Sequence, residues 1–368
     1  MVRFFSLLLA LAMIFSLTAC GSGQNSSAPS APASSTPAES APAASTPTED
    51  TFVEIDPSQT SYPVTVTDQL GREVTIEQEP ATLVSGYYIS TSLLLALGLE
   101  GKLVGIEAKA DSRSIYRLSA PQIIELPSVG TAKEFDLEGC AALEPDLIIL
   151  PVRLQSVIPS LEELGFTVFA VNPEDKALLE EAVTLLGTAT NTNPRAEELL
   201  AFHDQQLEPL TQALAGADAP SVYLAGNSAF LSVAGPLMYQ NSLIQQAGGS
   251  NAAADITEDY WADVSYEQLL AWDPDYIILA ADAGYTVDSV LEDENLRDCA
   301  AVKNGNVYQL PNAIEAWDSP VPSSILGSMW LASVIHSDNY PADNWMQAAV
   351  DYYETFYGFT PDLDNLYA

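Results

Sequence analysis

The chain has 368 residues and is strongly acidic: 50 Asp and Glu oppose 12 Lys and Arg, which gives a formal net charge of −38. Nucleic-acid phosphates and anionic lipid surfaces need neutralising cations. This charge therefore argues against binding of nucleic acid and against docking on anionic lipid through a basic face. With 3 Cys and 2 His, the chain has too few of these residues for a disulfide scaffold or a cage of several metal-binding histidines.

Two segments precede the globular sequence. Residues 1–19 carry an early arginine, an apolar run and small residues before Cys20, which is the pattern of a secretory signal peptide. The sequence LTACG at 17–21 resembles the bacterial lipobox and predicts cleavage before Cys20 and a lipid on its thiol; the alternative is an ordinary signal with an incidental Cys. Residues 20–60 are rich in Ser, Ala, Pro and Thr, so we expect a disordered tether.

Residues 61–173 are predicted to form a first α/β lobe. Its opening alternates apolar and polar residues over 64–76, as a β-hairpin does. Apolar strands are predicted at 81–86, 102–106, 147–150 and 167–171, with helices at 90–97, from about 137, and at 158–164. Strands that alternate with helices indicate parallel βαβ units.

Residues 174–215 lack a strand pattern and have apolar residues at helical spacing, which predicts a helical linker. His203 lies in this linker and is interpreted as a packed helix residue. Residues 216–368 are predicted to form a second α/β lobe. Its predicted strands lie at 221–225 and 307–310, and its predicted helices at 239–246, 320–335 and 345–356.

One stretch occurs twice, once in each predicted lobe. Residues 136–150 read DLEGCAALEPDLIIL and residues 265–279 read SYEQLLAWDPDYIIL. Both copies predict a helix, a turn broken by Pro-Asp and a buried strand. The shared glutamates, Glu138 and Glu267, lie near predicted helix N-termini, where the helix dipole favours a carboxylate. They therefore have either a structural role or a role in docking a partner with paired Arg or Lys.

Sequence motifs of catalysis are absent from the chain. It contains no G-x-S-x-G, H-E-x-x-H, C-x-x-C, P-loop or G-x-G-x-x-G motif. Residues 255–266 have the spacing of a calcium loop, but Tyr260 and Tyr266 occupy positions that require Gly and Glu. We therefore predict no catalytic residue, no directly bound metal and no cofactor. The competing hypothesis is a surface-anchored enzyme that uses a cleft between the lobes.

From about Tyr62 onward, the chain resembles the cobalamin and ferric-siderophore class of ABC-transporter substrate-binding proteins. The resemblance rests on segments in the order of that family, among them VTDQLGREVTI, LLALGLEGKLVGI, the two repeat copies, LIQQAGGSNAAAD, AVKNGNVYQLP and YETFYGFT. It implies two Rossmann-like lobes joined by a long interdomain helix, with a ligand clamped between them. It also implies that Glu138 and Glu267 dock onto arginines of a permease dimer, although Gly139 and Cys140 depart from the usual pattern.

Ligands of parallel α/β sheets bind beyond the carboxyl ends of the strands. The candidate ligand-binding residues selected by this rule are Tyr87, Tyr88, Arg113, Tyr116, Arg117, Arg153, Asn227, Trp261, Tyr285 and Trp317. Arginines are scarce in this chain, so their grouping at predicted strand ends favours an anionic chelate. A ferric siderophore is the expected ligand, and a corrinoid or haem held by the aromatic residues is the alternative.

The expected protein is a lipid-anchored solute-binding protein on the extracytoplasmic face of the cell membrane. Its expected partners are an ABC permease dimer with its ATPase, the small-molecule chelate, and the membrane through the lipid anchor. A chelate sensor or scavenger without a transporter is the remaining hypothesis.

Overall fold

The computed structural model describes residues 58–258 and 260–367. The predicted signal peptide, the predicted lipidation site Cys20 and nearly all of the predicted tether lie outside these described residues. Within the described ranges, no helix combines the length and the apolar content that crossing a bilayer requires.

The described chain begins with the predicted hairpin. Strands β1 (Val64–Thr67) and β2 (Glu73–Ile76) pair antiparallel, with Val66 opposite Val74. Their buried residues alternate with exposed ones, which confirms the period-2 pattern of the sequence.

A four-stranded parallel sheet follows, in the order β4-β3-β5-β6. Its strands are β3 (Leu83–Ser85), β4 (Leu103–Gly105), β5 (Leu147–Pro151) and β6 (Val168–Val171), and its helices are α1 (Tyr88–Ala96), α2 (Ser114–Ser119), α3 (Leu137–Ala141) and α4 (Ile158–Glu163). All five residues of β5 are buried, as expected for a strand covered by helices on both faces of the sheet. The predicted parallel βαβ arrangement is confirmed.

Two long helices, α5 (Lys176–Thr190) and α6 (Asn193–Ala213), connect the first sheet to the second. The 21-residue α6 carries Pro209 without being interrupted. His203 of α6 is buried, and its Nε2 lies 2.7 Å from the carbonyl oxygen of Pro322. This contact confirms that His203 is a packed helix residue.

The second sheet has the order β10-β8-β7-β11-β12, and β9 also pairs with β7. Its strands are β7 (Ser221–Ala225), β8 (Ser232–Val233), β9 (Ser250–Asn251), β10 (Ala262–Asp263), β11 (Tyr276–Leu279) and β12 (Val307–Gln309). The helices of this half are α7 (Tyr239–Gln246), α8 (Tyr266–Trp272), α9 (Val287–Leu291), α10 (Ala300–Asn304), α11 (Ile325–Ile335) and α12 (Ala342–Tyr357). Strands β9, β7, β11 and β12 run parallel, whereas β8 pairs antiparallel with both of its neighbours, β7 and β10.

The helix predicted to begin at residue 320 instead begins at Ile325. Prolines at 320 and 322 disfavour helical backbone at the residues before them, Ser319 and Val321. The chain between β12 and α11 is therefore a long loop, and this loop forms part of the site described below.

The duplicated stretch has the same local structure in both halves. The acidic residue before each Pro-Asp, Glu144 or Asp273, has a positive φ of 47° or 43°. The carboxylate of Asp146 accepts hydrogen bonds from the backbone N–H groups of residues 81 and 82 at 2.9 Å. The carboxylate of Asp275 accepts one from Ser221 at 2.8 Å. Each Pro-Asp therefore ties the repeat to the start of a neighbouring strand, and the helix, turn and buried strand predicted for both copies are present.

The two lobes share one continuous buried apolar cluster, which includes residues of α1, α6, α11 and α12. Polar contacts reinforce this junction. The Ser92 hydroxyl of α1 donates to the Glu315 carboxylate and lies 3.1 Å from the Tyr357 hydroxyl of α12. The Arg195 side chain of α6 donates to the carbonyl oxygen of Ala96 at 3.1 Å. The C-terminal helix thus packs against the first lobe as well as the second.

Candidate ligand-binding cleft

The cleft between the lobes is divided by Tyr88, which stands at the start of α1 directly beyond β3. Its hydroxyl donates to the Ser319 hydroxyl at 3.2 Å, so the side chain bridges from the first lobe to the loop that follows β12. Tyr88 lines two cavities, of about 380 Å³ and about 270 Å³. We call them the Arg113 cavity and the Asp318 cavity.

The Arg113 cavity is lined by residues of both lobes, including Arg113 from the first lobe and Asp282 and Glu315 from the second. The Arg113 guanidinium lies 4.2 Å from the centre of the Tyr88 ring, which is a cation–π distance. Among the described residues, Arg113 is in no ion pair. Its charge is therefore available to an anionic group in the cavity.

Tyr116 forms part of the wall of the same cavity but is only 1% exposed. Its hydroxyl donates to the Glu107 carboxylate at 2.7 Å, and the Thr91 hydroxyl donates to the same group at 2.6 Å. Burial raises the pKa of Glu107 above its usual range. The Tyr116 hydroxyl is thus committed to a buried network, and only its ring contributes to the wall.

The Asp318 cavity lies on the other side of Tyr88. Aromatic side chains form much of its wall: Tyr87, Tyr88, Tyr239, Tyr260 and Trp261. The Arg153 guanidinium lies 5.1 Å from the centre of the Tyr87 ring and 3.4 Å from the Glu174 carboxylate. Trp261 packs closely on Gly226, where a Cβ would lie 3.0 Å from the indole.

Two buried acceptors of the Asp318 cavity lack partners. Asp318 is 4% exposed, and its Oδ1 has no hydrogen-bond partner among the described residues. Burial, together with the nearby carboxylate of Asp282, raises the pKa of Asp318 to about 7. Gln240 donates through Nε2 to the Asp318 carbonyl oxygen at 2.8 Å, while its buried Oε1 has no partner. Buried polar atoms are rarely left unpaired, so this pair marks an unusual site.

Besides Asn227, six of the ten predicted ligand-binding residues line these cavities: Tyr87, Tyr88, Arg113, Tyr116, Arg153 and Trp261. The other three line neither cavity. The exposed Arg117 donates to the Ser114 hydroxyl at 2.8 Å within its own helix. Tyr285 donates to the carbonyl oxygen of Gly226 at 2.5 Å. Trp317 is buried and donates to the Tyr353 hydroxyl at 2.9 Å, because its indole enters the core beneath α12. Asn227, also selected by the strand-end rule, lines the Asp318 cavity.

Several cavity residues were missed by sequence reasoning: Glu174, Tyr239, Gln240, Glu315, Asp318 and Ser319. The strand-end rule does reach the loop after β12, but it selected Trp317 rather than its neighbour Asp318. Gln240 lies on α7, and no strand-end signal in the sequence marks that helix.

The paired glutamates occupy equivalent positions in short capped helices. Asp136 accepts from the backbone N–H of Gly139 at 2.9 Å, and Ser265 accepts from that of Gln268 at 3.2 Å. Glu138 and Glu267 each lie two residues after the capping residue, and both are exposed. Hydrogen bonds from its own backbone N–H and from the Ser265 hydroxyl lower the pKa of Glu267.

The structure gives a local reason for the glycine at position 139, which departs from the usual pattern of the family. A Cβ at this position would lie 2.3 Å from the Asp136 carboxylate that caps the helix.

The cleft presents guanidinium, phenol and indole groups together with carboxylates. Among the described residues, no group of three or more His, Cys, Asp and Glu side chains is arranged to hold a metal ion. Planar guanidinium groups match paired anionic oxygen atoms, and the aromatic walls match apolar or conjugated surface. The arrangement suits an organic ligand that carries both kinds of group.

Known proteins resemble this chain over most of its length. Residues 83–314 match the family described as Periplasmic binding protein. The molybdate-binding protein MolA of Haemophilus influenzae is 25% identical over 330 residues, which cover 82% of this chain and 92% of MolA. The Fe(3+)-citrate-binding protein YfmC of Bacillus subtilis is 28% identical over 211 residues, which cover 56% of this chain and 65% of YfmC.

The fold agrees with that assignment. The crystal structure of a periplasmic solute binding protein from Veillonella parvula matches with a TM-score of 0.72 at 27% identity, covering 82% of this chain and 96% of that one. The chain therefore belongs to the periplasmic binding protein family, the family of the substrate-binding proteins of ABC transporters.

Proposed function

We propose that this protein captures an iron chelate, a ferric siderophore, between its lobes and delivers it to an ABC permease and its ATPase. The observation that carries the proposal is the placement of Arg113 and Arg153. Each guanidinium lies over a tyrosine ring of the first lobe, and each lines a cavity that also contacts the second lobe. Arg113, which is in no ion pair among the described residues, can bind the anionic oxygen atoms of a chelate, whereas the charge of Arg153 is balanced by Glu174 at 3.4 Å. The relative YfmC is named for Fe(3+)-citrate.

The size of the cleft supports a ligand that spans both cavities. Pockets for small ligands usually have volumes of about 300–1,000 Å³. The cavities of about 380 Å³ and about 270 Å³ are each small for a chelate, but Tyr88 lines both of them. One hydrogen bond of 3.2 Å, to Ser319, holds the Tyr88 hydroxyl across the cleft. Rotation of this side chain would join the two spaces.

A corrinoid or haem is the second candidate, favoured by the aromatic wall of the Asp318 cavity. Molybdate, for which the relative MolA is named, fits the cleft less well. Four carboxylates line the two cavities, at Glu174, Asp282, Glu315 and Asp318. They would repel a small dianion that lacks other groups to bind.

Delivery requires a surface for the transporter and a location outside the cytoplasm. Glu138 and Glu267, one exposed carboxylate per lobe, are proposed to dock onto arginines of the permease dimer. Cys20 is proposed to carry the lipid that holds the protein on the extracytoplasmic face of the membrane. The chain is proposed to act by binding alone, in line with relatives that are named as binding proteins.

A ligand panel tests the proposal. The purified protein is titrated with ferric siderophores, ferric citrate, cyanocobalamin and haem while tryptophan fluorescence is recorded, because Trp261 lines the cleft. We expect a ferric siderophore to quench the signal, and Arg113→Gln to weaken its binding about tenfold or more, since a charge-assisted hydrogen bond contributes about 1.5–3 kcal/mol. The matched control is Arg297→Gln, whose parent side chain is 80% exposed.

Silence across the whole panel would refute chelate capture. Quenching by cyanocobalamin or haem alone would favour the second candidate. Equal effects of the two arginine variants would show that Arg113 does not bind the ligand.

A further inference from the structure

The unpartnered acceptors of the Asp318 cavity require an explanation. Asp318 and Gln240 both line this cavity, and Asp318 Oδ1 and Gln240 Oε1 are buried and have no donor among the described residues. They are held together because Gln240 donates to the Asp318 carbonyl oxygen at 2.8 Å. Two acceptors without a donor, on residues that contact each other, are the complement of a ligand group that carries several N–H bonds.

The charge of the cavity points in the same direction. Arg153 and Glu174 lie 3.4 Å apart and balance each other, which leaves Asp318 as the excess charge in the lining. The Asp282 carboxylate adds to the negative potential at Asp318. A buried carboxylate without a cationic partner is costly, and a cation brought by a ligand would remove that cost.

The walls of the cavity are also suited to a cation. Tyr87, Tyr239 and Trp261 present aromatic surface to the same space as Asp318. Aromatic faces attract ammonium groups, most strongly where water is excluded. Acceptors, excess negative charge and aromatic walls thus coincide in one cavity, whereas the unpaired Arg113 lies in the other.

We propose that Asp318 and Gln240 form a subsite for an ammonium group of the captured chelate. The ligand would then place its anionic iron-binding oxygen atoms toward Arg113 and a protonated amine arm beside Asp318, one on each side of Tyr88. The inference rests on the proposed capture of a ferric chelate and specifies its class: a siderophore with an amine arm, rather than a chelate with negative charge on every side.

Binding at this subsite depends on pH. The pKa of Asp318 is about 7, so the carboxylate becomes protonated as the pH falls through neutrality, and its attraction for an ammonium group is lost. The charged or titratable groups around Asp318, from the cavity lining and the neighbouring elements, are Tyr87, Tyr88, Arg153, Glu174, Tyr239, Tyr260, Asp282 and Tyr285. Burial raises the pKa of Tyr87, Tyr88, Tyr239 and Tyr285, so these four side chains stay neutral in this range.

Two probes that differ in a single group test the subsite. One is the ferric complex of desferrioxamine B, a linear trihydroxamate with a free ammonium; the other is its N-acetyl derivative, which has a neutral amide instead. We expect the purified protein to bind the ammonium probe at least tenfold more tightly at pH 8. Asp318→Asn should reduce this ratio to within about twofold by weakening the ammonium probe alone. Asp338→Asn, an exposed acid outside the cleft, should keep the wild-type ratio.

A second measurement needs no variant. Between pH 8 and pH 5.5, the affinity of the wild-type chain for the ammonium probe should fall about tenfold, while that for the acetylated probe changes by less than twofold. This measurement decides the matter if Asp318→Asn does not fold.

Equal affinity of the wild-type chain for both probes would overturn the subsite, as would an Asp318→Asn variant that weakens both equally. So would binding of other ferric chelates but of neither probe, and chelate capture would then still stand. Silence with every chelate of the panel would instead refute the proposed function, and the subsite with it.

Discussion

Asp318 combines a structural cost with a proposed binding role. Its carboxyl is 4% exposed, lacks a partner at Oδ1 and has a pKa of about 7. An aspartate in an unfolded chain has a pKa of about 3.9. Because the folded chain holds the proton more tightly, ionisation of Asp318 destabilises the fold. Groups that are costly in the free protein are often retained because a ligand uses them.

The unfolding free energy should therefore depend on pH through Asp318. Below about pH 4 the carboxyl is protonated in both states and does not lower the unfolding free energy. From there to about pH 7 the unfolding free energy falls by about 1.4 kcal/mol per pH unit. Asp318→Asn should thus be more stable than wild type at pH 8 by a few kcal/mol, with a gain that shrinks markedly by pH 5. Urea unfolding of the ligand-free protein at both pH values measures the difference. A gain that is no larger at pH 8 than at pH 5 would contradict it.

Short helices α3 and α8 position the two exposed glutamates. Each has only one or two turns, so its stability depends on its cap and on packing rather than on intrinsic propensity. Asp136 and Ser265 cap equivalent positions, and a single buried side chain anchors each helix, Cys140 in α3 and Leu269 in α8. The direction of each glutamate is therefore set by the cap as well as by the core.

Removal of either cap should be measurable. Asp136→Ala and Ser265→Ala should each lower the unfolding free energy by about 1 kcal/mol, because a backbone N–H loses its acceptor. Ser337→Ala is the matched control, since Ser337 is exposed and lies outside these helices. Denaturant midpoints compare the three variants. Cap variants indistinguishable from the control would show that packing alone holds these helices.

Lobe motion is limited by the way the two lobes are joined. The shared apolar cluster and the Ser92–Glu315 contact connect α1 to the second lobe, beyond the link made by α6. Domains joined through a large apolar interface move less than domains joined by a polar one. A nearly fixed separation between the lobes would suit a permease that contacts one glutamate on each.

The docking pair can be tested in cells that carry the cognate permease. Reversal of Glu138 and Glu267 to Lys should abolish uptake, because the two introduced ammonium groups would repel the arginines proposed on the permease, while the affinity of the purified protein for the ligand stays unchanged. Single reversals should have intermediate effects. A Cys20→Ala chain should leave the membrane fraction and also lose uptake. Reduced ligand affinity in the double variant would instead assign the glutamates to the fold or the cleft.

Local sequence patterns were sufficient to predict most of the helices and strands. Strands β5 and β11 were found from short apolar runs after Pro-Asp, and the hairpin from its alternation. The repeat predicted two like lobes because the same turn chemistry was present twice. The start of α11 was predicted five residues too early, because a proline such as Pro320 is favoured in the first turn of a helix, whereas here the two prolines keep the residues before them out of helical backbone.

The sequence by itself determined the two α/β lobes, the helical connection and one exposed glutamate on each lobe, because local patterns of apolar residues, prolines and caps indicate each of these. The tertiary structure alone decided what the cleft contains. Tyr88 meets Ser319 across 231 residues, and Gln240 meets Asp318 across 78. The same packing placed Trp317 in the core and its neighbour Asp318 in the cavity. Such pairings follow from how whole elements stack against one another, which no local pattern encodes.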